Sequence, residues 1–521
     1  MSKHETNQAN DGLAGAQPNR APTAEVAATP RQWHHSLFVI IPCLLALYPV
    51  GLVLLYRRQG GGVWLRWIAA LLTLPPFVIL MLVALNPYWH FDGGMSFGSF
   101  RLDFGRGGQA GIVEAHRESQ SAAAASQPRA ELMSLDWPAF RGALRDGVIR
   151  NEVITTDWKK DPPRLLWRQP VGEGHSSFVV GNGRLYTMEQ RRRGEAVTCY
   201  DIDTGREIWA HIGPGFFQEP LGDNGPRATP TLDGDRIYAL GAAGEFCCLN
   251  ALDGKRIWTK NILREFGASN LQWAMSASPL IVDDFVVVTN SGVGGGSIMA
   301  YRKSDGSLAW KNEIGQQAYS SPMLVTMKGR RQILNIAARN VNSLDPVTGR
   351  ALWSFPWATD MGISCSQPVV VDDERIFVSL GYGIGSVMIK LEGEGDAIKP
   401  KALWTNYRMS NKFSSSVIHR GTIYGLDERV LACQDLDTGE IKWKGGRYGY
   451  GSLLLVGDHL LVSCEDGELA LVEATPEEHR EIGMIKVFDE RTWNNSALAG
   501  GLFFTRNHRE MACYDMRPTK N

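Results

Sequence analysis

Apolar residues alternate with polar ones in short segments over the last two thirds of the chain, the pattern of half-buried β-strands. Eight copies of one unit recur, each an alternating strand, a tight turn and a second alternating strand. Turn residues such as Asn182-Gly183, Asp283-Asp284 and Gly457-Asp458 are typical of tight hairpins. The eight copies begin at Ser176, Ala228, Ala277, Ser320, Ser366, Ser414, Ser452 and Ser496.

A second motif follows most of these copies: polar residues, a glycine, three further residues and a Trp, as in CYDIDTGREIW ending at Trp209. The glycine predicts a tight turn between the third and fourth strands. The Trp would then lie on the outermost strand and pack between neighbouring units. One unit has Val487 at the Trp position. The predicted packing residues are Trp167, Trp209, Trp258, Trp310, Trp353, Trp404 and Trp443.

Residues 164–517 divide into eight units of about 44 residues, the size of one four-stranded propeller blade. The last unit supplies only three strands after Arg491, whereas Leu165–Val171 is a fourth strand with no unit before it. Pairing these two ends closes the ring and removes exposed sheet edges. The sequence therefore predicts an all-β, eight-bladed β-propeller over residues 137–517.

Two long apolar stretches precede the propeller, Ser36–Tyr56 and Val63–Leu85, each about long enough to cross ~30 Å of hydrocarbon as a helix. The alternative, a pair of buried core helices, is disfavoured because neither stretch has a polar face. Arg57, Arg58 and Arg66 favour a cytoplasmic connector between the two helices. We therefore expect a multi-pass anchor in the inner membrane, with the propeller on the periplasmic side.

The expected two-helix anchor occupies residues 36–86. The remaining segments are polar and lack strand patterns. We expect a disordered tail over residues 1–35, a linker over residues 87–136 and a short C-terminal tail over residues 518–521.

The D-x-x-T-G-x-x-x-W turns resemble the repeat of pyrroloquinoline-quinone (PQQ) type eight-bladed propellers. That superfamily includes quinoprotein alcohol dehydrogenases and the BamB-type outer-membrane assembly lipoproteins. The chain from about Trp137 to Arg517 is similar to bacterial membrane-anchored proteins with this repeat. The similar stretches are WPAFRG (Trp137–Gly142), RDG (Arg145–Gly147), LLWRQPVG, GPRATPT, YSSP and GELALVEATPE.

Propellers place ligand sites where the innermost strand of each blade begins. Alignment of the eight inner strands gives one ring of His175, Arg227, Ser276, Tyr319, Cys365, Phe413, Gly449 and Asn494. Two residues further along lies a second ring, whose small side chains suit the crowded axis: Ser177, Thr229, Ser278, Ser321, Gln367, Ser415, Gly451 and Ser496.

The first ring is varied enough to hold a ligand. An Arg there is suited to clamp a carboxylate, and nearby Trp side chains to stack on a flat ring. Alternatively, the Arg caps strand carbonyls and the Trp residues pack at the rim. The candidate ligand-binding residues are His175, Arg227, Trp273, Tyr319, Phe413, Trp493 and Asn494.

Quinoprotein dehydrogenases, as the resemblance implies, require Asp and Glu oxygens for Ca²⁺ and a catalytic Asp beside PQQ. Neither ring contains a carboxylate, and the nearest ones, Glu219, Asp223 and Asp360, lie on loops without equivalent spacing. The 11 His residues show no metal-ligand spacing, and there is no C-x-x-C-H motif for haem. The sequence predicts no catalytic residue, no metal site and no cofactor, with PQQ and Ca²⁺ as the alternative.

Some quinoprotein dehydrogenases carry a vicinal disulfide, which makes Cys247-Cys248 a candidate for one. Alternatively, Cys248 is a small buried side chain at a strand position repeated by Cys199, Cys433 and Cys513.

The 54 Lys and Arg residues nearly balance the 55 Asp and Glu residues, so the net charge of −1 gives no reason to bind nucleic acid. We expect a membrane-tethered propeller that binds a protein partner outside the cytoplasm and has no catalytic activity of its own. The alternatives are a PQQ-dependent oxidoreductase and a propeller that binds a small ligand.

Overall fold

The computed structural model describes residues 109–120, 136–192, 194–219 and 221–519, together with the single positions 68, 71, 74 and 75. The two predicted membrane helices, Ser36–Tyr56 and Val63–Leu85, lie outside the described residues except at those four positions. In the described part, no helix is both long and apolar enough to cross a bilayer.

Eight sheets of four antiparallel strands each, one of them extended by a short parallel strand, confirm the predicted propeller. Helix α1 (Gln109–Gln120) and strands β1 (Val148–Ile149) and β2 (Arg164–Pro170) precede the first blade. Blade 1 contains β3 (Val179–Gly181), β4 (Arg184–Arg191), β5 (Gly194–Asp201) and β6 (Glu207–Ile212). Blade 2 contains β7 (Thr231–Asp233), β8 (Arg236–Leu240), β9 (Glu245–Asn250) and β10 (Arg256–Asn261), followed by helix α2 (Ile262–Phe266).

The next three blades repeat this order from the inner strand to the outer strand. Blade 3 contains β11 (Leu280–Val282), β12 (Phe285–Thr289), β13 (Ile298–Arg302) and β14 (Leu308–Asn312). Blade 4 contains β15 (Met323–Met327), β16 (Arg330–Ile336), β17 (Asn340–Leu344) and β18 (Ala351–Pro356). Blade 5 contains β19 (Val369–Val370), β20 (Arg375–Leu380), β21 (Gly385–Glu392), a 3₁₀ turn (Gly395–Ala397) and β22 (Lys399–Asn406).

The last three blades complete the ring. Blade 6 contains β23 (Val417–His419), β24 (Thr422–Asp427), β25 (Val430–Asp435) and β26 (Ile441–Arg447). Blade 7 contains β27 (Ser452–Val456), β28 (His459–Ser463), β29 (Glu468–Glu473) and β30 (Glu481–Lys486). Blade 8 contains β31 (Ala497–Ala499), β32 (Leu502–Arg506) and β33 (Glu510–Asp515), with β2 as its outer strand.

Blade 8 closes the ring as predicted. Strand β2 pairs antiparallel with β33, in a register that places Arg164 opposite Asp515 and Pro170 opposite Glu510. An ion pair of 2.8 Å between Arg164 and Asp515 lies at one end of this pairing. Strands β2 and β33, from opposite ends of the propeller segment, therefore pair with each other and close the ring.

Five of the seven motif Trp residues pack between blades, against the turn glycine of the following blade. A Cβ atom added to Gly254 of blade 2 would lie 2.6 Å from Cε3 of Trp209 in blade 1. The Trp209 Nε1 donates a hydrogen bond to the carbonyl of Ala251 in the same turn, at 3.1 Å. The other Trp–Gly pairs are Trp167–Gly205, Trp258–Gly306, Trp310–Gly349 and Trp404–Gly439.

In three units the outer strand does not make this Trp–Gly contact, and in each the turn of the following blade differs from the motif. Trp443 donates to the carbonyl of Thr475 in the longer turn of blade 7, at 2.9 Å. Trp353 donates instead to Gln332 Oε1 at 2.9 Å, within its own blade. Blade 8 offers no turn glycine, because β33 and β2 come from opposite ends of the propeller segment.

In the preceding blade, the register places Gly483 at the position of the motif Trp, because Leu471 lies opposite Gly483 just before the bulge. The prediction of Val487 at this position was therefore wrong. Trp158, from the segment before β2, packs there instead, with its Cε3 3.3 Å from a Cβ atom added to Gly483.

The segment that contains WPAFRG and RDG lies against the inner strands. Trp137 exchanges backbone hydrogen bonds with Val180 of β3 (2.9 and 3.0 Å), and β1 pairs parallel with β27. Arg145 is buried and donates to the carbonyl of Pro322 at 3.0 Å and to that of Pro279. Burial lowers the pKa of Arg145 to about 9, so its guanidinium stays charged at neutral pH. This Arg therefore caps inner-strand carbonyls, the alternative role expected for Arg227.

Helix α1 lies within the segment predicted as a linker, where no helix was expected. Gln109 Nε2 donates to the carbonyls of Val171 (2.6 Å) and Arg509 (2.8 Å), and Arg117 donates to the carbonyl of Pro170 (2.8 Å). Val113 and Arg117 are the buried residues of this helix, so it has too few apolar side chains to form a core-facing stripe in the sequence. Helix α1 thus covers the seam where blade 8 meets blade 1.

The Trp–Gly contact predicts a difference between two glycines of blade 2. Gly254 (φ +69°) contacts Trp209, whereas Gly234 (φ +60°) has nothing within 4 Å of an added Cβ. Gly234→Ala should cost about 1–2 kcal/mol for the left-handed backbone alone. Gly254→Ala should cost a further ~1–3 kcal/mol because the Cβ displaces the Trp ring. Urea unfolding measures both, and equal losses would contradict the packing role.

Candidate functional site

The candidate ligand residues lie at one end of the propeller. In an antiparallel blade, the connector that enters the inner strand and the turn between the second and third strands are at the same end. His175, Arg227, Trp273, Tyr319, Phe413, Trp493 and Asn494 all lie on connectors that enter β3, β7, β11, β15, β23 or β31. We call these connectors and the second-to-third-strand turns the hub mouth.

Below the hub mouth, the second ring forms a belt of hydrogen bonds from blade to blade. The backbone N–H of Ser177 donates to Thr229 Oγ1 at 3.0 Å, and that of Thr229 donates to Ser278 Oγ at 2.9 Å. The same contact links Ser278 to Ser321 (2.9 Å) and Gln367 to Ser415 (3.0 Å). The hydroxyl groups of this ring therefore accept hydrogen bonds from backbone N–H groups just before the inner strands, in addition to being small.

Aromatic side chains and one lysine cluster on the blade 5 to blade 7 side of the mouth. Phe413 lies 5.0 Å from Trp493 and 5.7 Å from Tyr450, between ring centroids. Lys412 Nζ lies 4.3, 5.1 and 5.3 Å from the ring centroids of Tyr450, Tyr382 and Phe413. None of the ion pairs between described residues includes this ammonium group, and the three rings are its stabilising contacts.

Arg227 is the second cation of the mouth without a carboxylate partner. One Nη donates to the backbone carbonyl of Asp223 at 2.8 Å, and the guanidinium lies 5.3 Å from the ring centroid of Phe217. Its Nε is buried and has no hydrogen-bond partner in the described part of the chain. Burial lowers the pKa of Arg227, while Asp223 and Glu219 partly oppose this effect.

Tyr319 and Cys365 lie beside these two cations. Burial raises the pKa of the Cys365 thiol to about 12, although Arg227 and Lys412 both act to lower it. Burial likewise raises the pKa of Tyr319 to about 12, and its hydroxyl accepts a hydrogen bond from the Trp273 backbone at 3.3 Å. Both groups are therefore neutral at physiological pH and add no negative charge beside the two cations.

The blade 8 side of the mouth contains a cluster around one carboxylate. Asp223 Oδ2 lies 2.8 Å from His508 Nε2, 3.7 Å from His175 Nε2 and in contact with the Arg491 guanidinium. Arg491 in turn lies 3.9 Å from the ring centroid of Trp493. Burial alone would raise the pKa of Asp223, but His508, His175 and Arg491 hold it well below its ordinary value.

His175 is neutral in this environment. Burial, with the Arg227 and His508 groups, holds its pKa well below the ordinary value, although Asp223 opposes them. Its Nε2 donates to the carbonyl of Gly222 at 2.9 Å, and its ring stacks on Trp493 with centroids 6.0 Å apart.

Asn494 and Trp493 have contacts within the propeller. Asn494 is buried, and its Nδ2 donates to the carbonyls of Gly174 (3.0 Å) and Ser176 (3.2 Å), which ties blade 8 to blade 1. Trp493 Nε1 donates to Glu465 Oε1 at 2.9 Å. The remaining candidates divide into a cationic aromatic group around Arg227, Tyr319 and Phe413, and the Asp223 cluster that includes His175.

The spacing of His and carboxylate residues along the sequence did not predict the Asp223 cluster. The 11 His residues showed no metal-ligand spacing, yet His175, Asp223 and His508 each place one ligand atom within 4.8 Å of the others. They lie on three separate chain segments that meet only because blade 8 closes against blade 1. Nothing in the linear sequence marks His508, which lies in the turn between β32 and β33 rather than at a ring position.

The carboxylates of the mouth do not form the oxygen-rich cage that Ca²⁺ requires. Asp223 is engaged by Arg491 and two imidazoles. Glu465 accepts from Trp493 Nε1 and from the Tyr450 backbone (3.2 Å) and lies 3.7 Å from Arg429. The residues present therefore do not fit the Ca²⁺–PQQ pair of quinoprotein dehydrogenases.

Cys247 and Cys248 are free thiols on strand β9. Successive strand residues face opposite sides, and the two side chains enter different cores. Cys248 packs with Tyr238 and Trp258, whereas Cys247 packs with Ile237 and Leu249. The structure thus places both as small buried side chains without a vicinal bridge.

Comparisons with known proteins agree with this architecture. The family profile described as outer membrane protein assembly factor BamB matches residues 158–323 and 268–478, more than half of the chain. The BamB of Burkholderia pseudomallei is 23% identical over 259 residues, which cover 47% of this chain and 59% of that protein. The BamB of Salmonella typhimurium is 28% identical over 286 residues, which cover 51% of this chain and 68% of that protein.

The chain therefore spans less than two thirds of the Burkholderia protein, and only 26% of the BamB of Marinobacter adhaerens. Among solved structures, a quinohemoprotein alcohol dehydrogenase from Pseudomonas putida HK5 superposes with a TM-score of 0.55 and 10% identity. That match covers 76% of this chain and 84% of the dehydrogenase. At this identity, the likeness concerns the fold alone.

The low pKa of His175 predicts how stability depends on pH. An unfolded His takes up a proton below about pH 6.5, whereas native His175 stays neutral, so stability should fall as pH decreases from about 7 to 5. His175→Gln should reduce this slope by up to about 1.4 kcal/mol per pH unit. Chemical unfolding across this pH range measures the slope.

The matched control is His419→Gln, which removes a His paired with Asp458 at 2.8 Å at the opposite end of the propeller. It reports the effect of removing one imidazole elsewhere on the propeller. A slope that is the same in wild type and His175→Gln would contradict the burial of neutral His175.

Proposed function

The chain belongs to the family of outer membrane protein assembly factor BamB, and on that premise we propose that it is a protein-binding propeller tethered to a membrane. In this proposal the hub mouth is the binding surface, and the protein has no catalytic activity of its own. The partner is a protein outside the cytoplasm that offers an acidic segment.

The observation that carries this proposal is the pair of cations without carboxylate partners, Arg227 and Lys412, among aromatic rings. A buried guanidinium with an unpaired Nε loses hydration without a compensating ion pair, which makes a carboxylate ligand favourable there. Aromatic and Arg side chains also carry much of the energy of protein interfaces. An acidic peptide with neighbouring apolar residues satisfies both features.

Exposed apolar side chains surround the mouth on the same end. Tyr407, Leu221 and Met361 are 84%, 65% and 62% exposed, and all lie on connectors that enter inner strands. Together with the cationic centre they form a mixed surface of the kind found at protein interfaces.

The membrane tether is supported by the sequence. Ser36–Tyr56 and Val63–Leu85 have the length and apolarity of spanning helices, and Arg57, Arg58 and Arg66 favour a cytoplasmic connector. We propose that the propeller lies on the periplasmic side of the inner membrane.

Photocrosslinking tests the binding surface. A photoreactive residue at Tyr407 should crosslink to an envelope protein in intact cells. The same residue at Leu252, 61% exposed on a turn at the opposite end, is the matched control and should crosslink little. Equal crosslinking at both positions would contradict binding at the mouth.

Charge removal tests the role of the cations. Hydrogen bonds to charged groups contribute about 1.5–3 kcal/mol, so Arg227→Gln with Lys412→Gln should reduce the crosslink at Tyr407 by roughly tenfold or more. Lys255→Gln, on a turn at the opposite end, is the charge control. An undiminished crosslink in the double variant would exclude an acidic ligand at this centre.

Protease accessibility tests the side of the membrane. Protease added to spheroplasts should degrade the propeller while a cytoplasmic marker protein survives. Protection of the propeller until the inner membrane is lysed would contradict the periplasmic location.

A further inference from the structure

We propose that His175, Asp223 and His508 form a binding site for one divalent transition-metal cation of the Zn²⁺ type, at the seam where blade 8 meets blade 1. This site borders the cationic centre, because Arg227 donates to the backbone carbonyl of Asp223, but its three ligand side chains do not include Arg227 or Lys412. Its occupation does not depend on the protein partner.

The first argument is convergence. One ligand atom from each of the three side chains lies within 4.8 Å of the other two. His175 lies on the connector into β3, Asp223 on the connector into β7, and His508 in the turn between β32 and β33. The His175 and His508 rings meet edge to face with centroids 4.8 Å apart, so both can present a nitrogen to one point near Asp223.

The second argument is the state of His508. Both of its ring nitrogens are buried, and neither has a hydrogen-bond partner of good geometry in the described part of the chain. Its Nε2 lies 2.8 Å from Asp223 Oδ2, an ion-pair contact whose angle does not suit a hydrogen bond, whereas Nδ1 has no polar partner in the described part of the chain. Buried polar atoms are nearly always paired, and an absent ion is one explanation when they are not.

The donor set selects the class of cation. Two imidazole nitrogens and one carboxylate oxygen suit Zn²⁺ and neighbouring transition metals, whereas Ca²⁺ and Mg²⁺ prefer oxygen ligands alone. Three protein ligands leave one tetrahedral position for water. Arg491, stacked over Trp493, contacts Asp223 and corresponds to the hydrogen-bonded outer partner that carboxylate ligands usually have.

Metal binding requires one rearrangement at His175. Its Nε2 now donates to the carbonyl of Gly222 at 2.9 Å and lies 3.7 Å from Asp223 Oδ2. This hydrogen bond is exchanged for the metal bond: Nε2 gives up its proton to solvent and Nδ1 takes one up, so that the ring changes tautomer and stays neutral. Because the ligands come together only in the closed ring, the metal binds the native state and stabilises the seam.

Zn²⁺ binding to the purified full-length chain in detergent tests this site. Calorimetry after chelator treatment should show one Zn²⁺ per chain and a rise in the unfolding temperature. His508→Gln should weaken Zn²⁺ binding by at least about tenfold, the loss typical even of an outer-shell partner. His419→Gln, which removes a His–Asp pair without a third ligand, should leave it unchanged.

Co²⁺ provides a measurement on the wild-type protein alone, should His508→Gln fail to fold. Co²⁺ bound to this site should give the visible absorption of a tetrahedral nitrogen and oxygen environment, and Zn²⁺ should displace it. The proposal is overturned by the absence of stoichiometric Zn²⁺ binding, by unchanged binding in folded His508→Gln, or by the absence of a Zn²⁺-displaceable Co²⁺ spectrum.

Discussion

The contact between a Trp of one blade and the turn glycine of the next is the interaction on which the ring depends. Glycine is required at this position for two reasons. Its backbone has positive φ, and the indole occupies the space that a Cβ atom would need. The indole nitrogen of Trp209 then donates to the same turn. Loss of a buried Trp typically costs ~3–5 kcal/mol, so repetition of this contact accounts for a large part of the cohesion between blades.

Ring closure is what brings the polar groups of the mouth together. Strand β2 joins β33 in blade 8, and Asn494 and Asp223 then connect blade 8 to the connectors of blades 1 and 2. Helix α1 and the segment around Arg145 add contacts at the rim and at the inner strands. The mouth therefore has a cationic aromatic side that suits a protein ligand and a seam side that suits a metal.

Periodicity and turn chemistry were sufficient to predict the blades, their number and the closing strand, because each repeat carries the same local information. The outer strand of blade 7 is the exception: its register places Gly483 at the Trp position, and Trp158 packs against that glycine. Helix α1 was not predicted because polar side chains such as Gln109 hold it in place. His508 was missed because its neighbours Asp223 and His175 are distant in sequence, and Arg145, rather than Arg227, caps strand carbonyls because β1 brings its segment to the inner strands.

The most direct test of the closed ring is a disulfide across β2 and β33. Arg168 lies opposite Ala512 in the antiparallel register, at a separation that a disulfide can bridge. Arg168→Cys with Ala512→Cys should crosslink under mild oxidation far faster than Arg168→Cys with Glu510→Cys, which is shifted by two residues. Thiols that remain reduced in the first pair, or crosslink faster in the second, would contradict closure in this register.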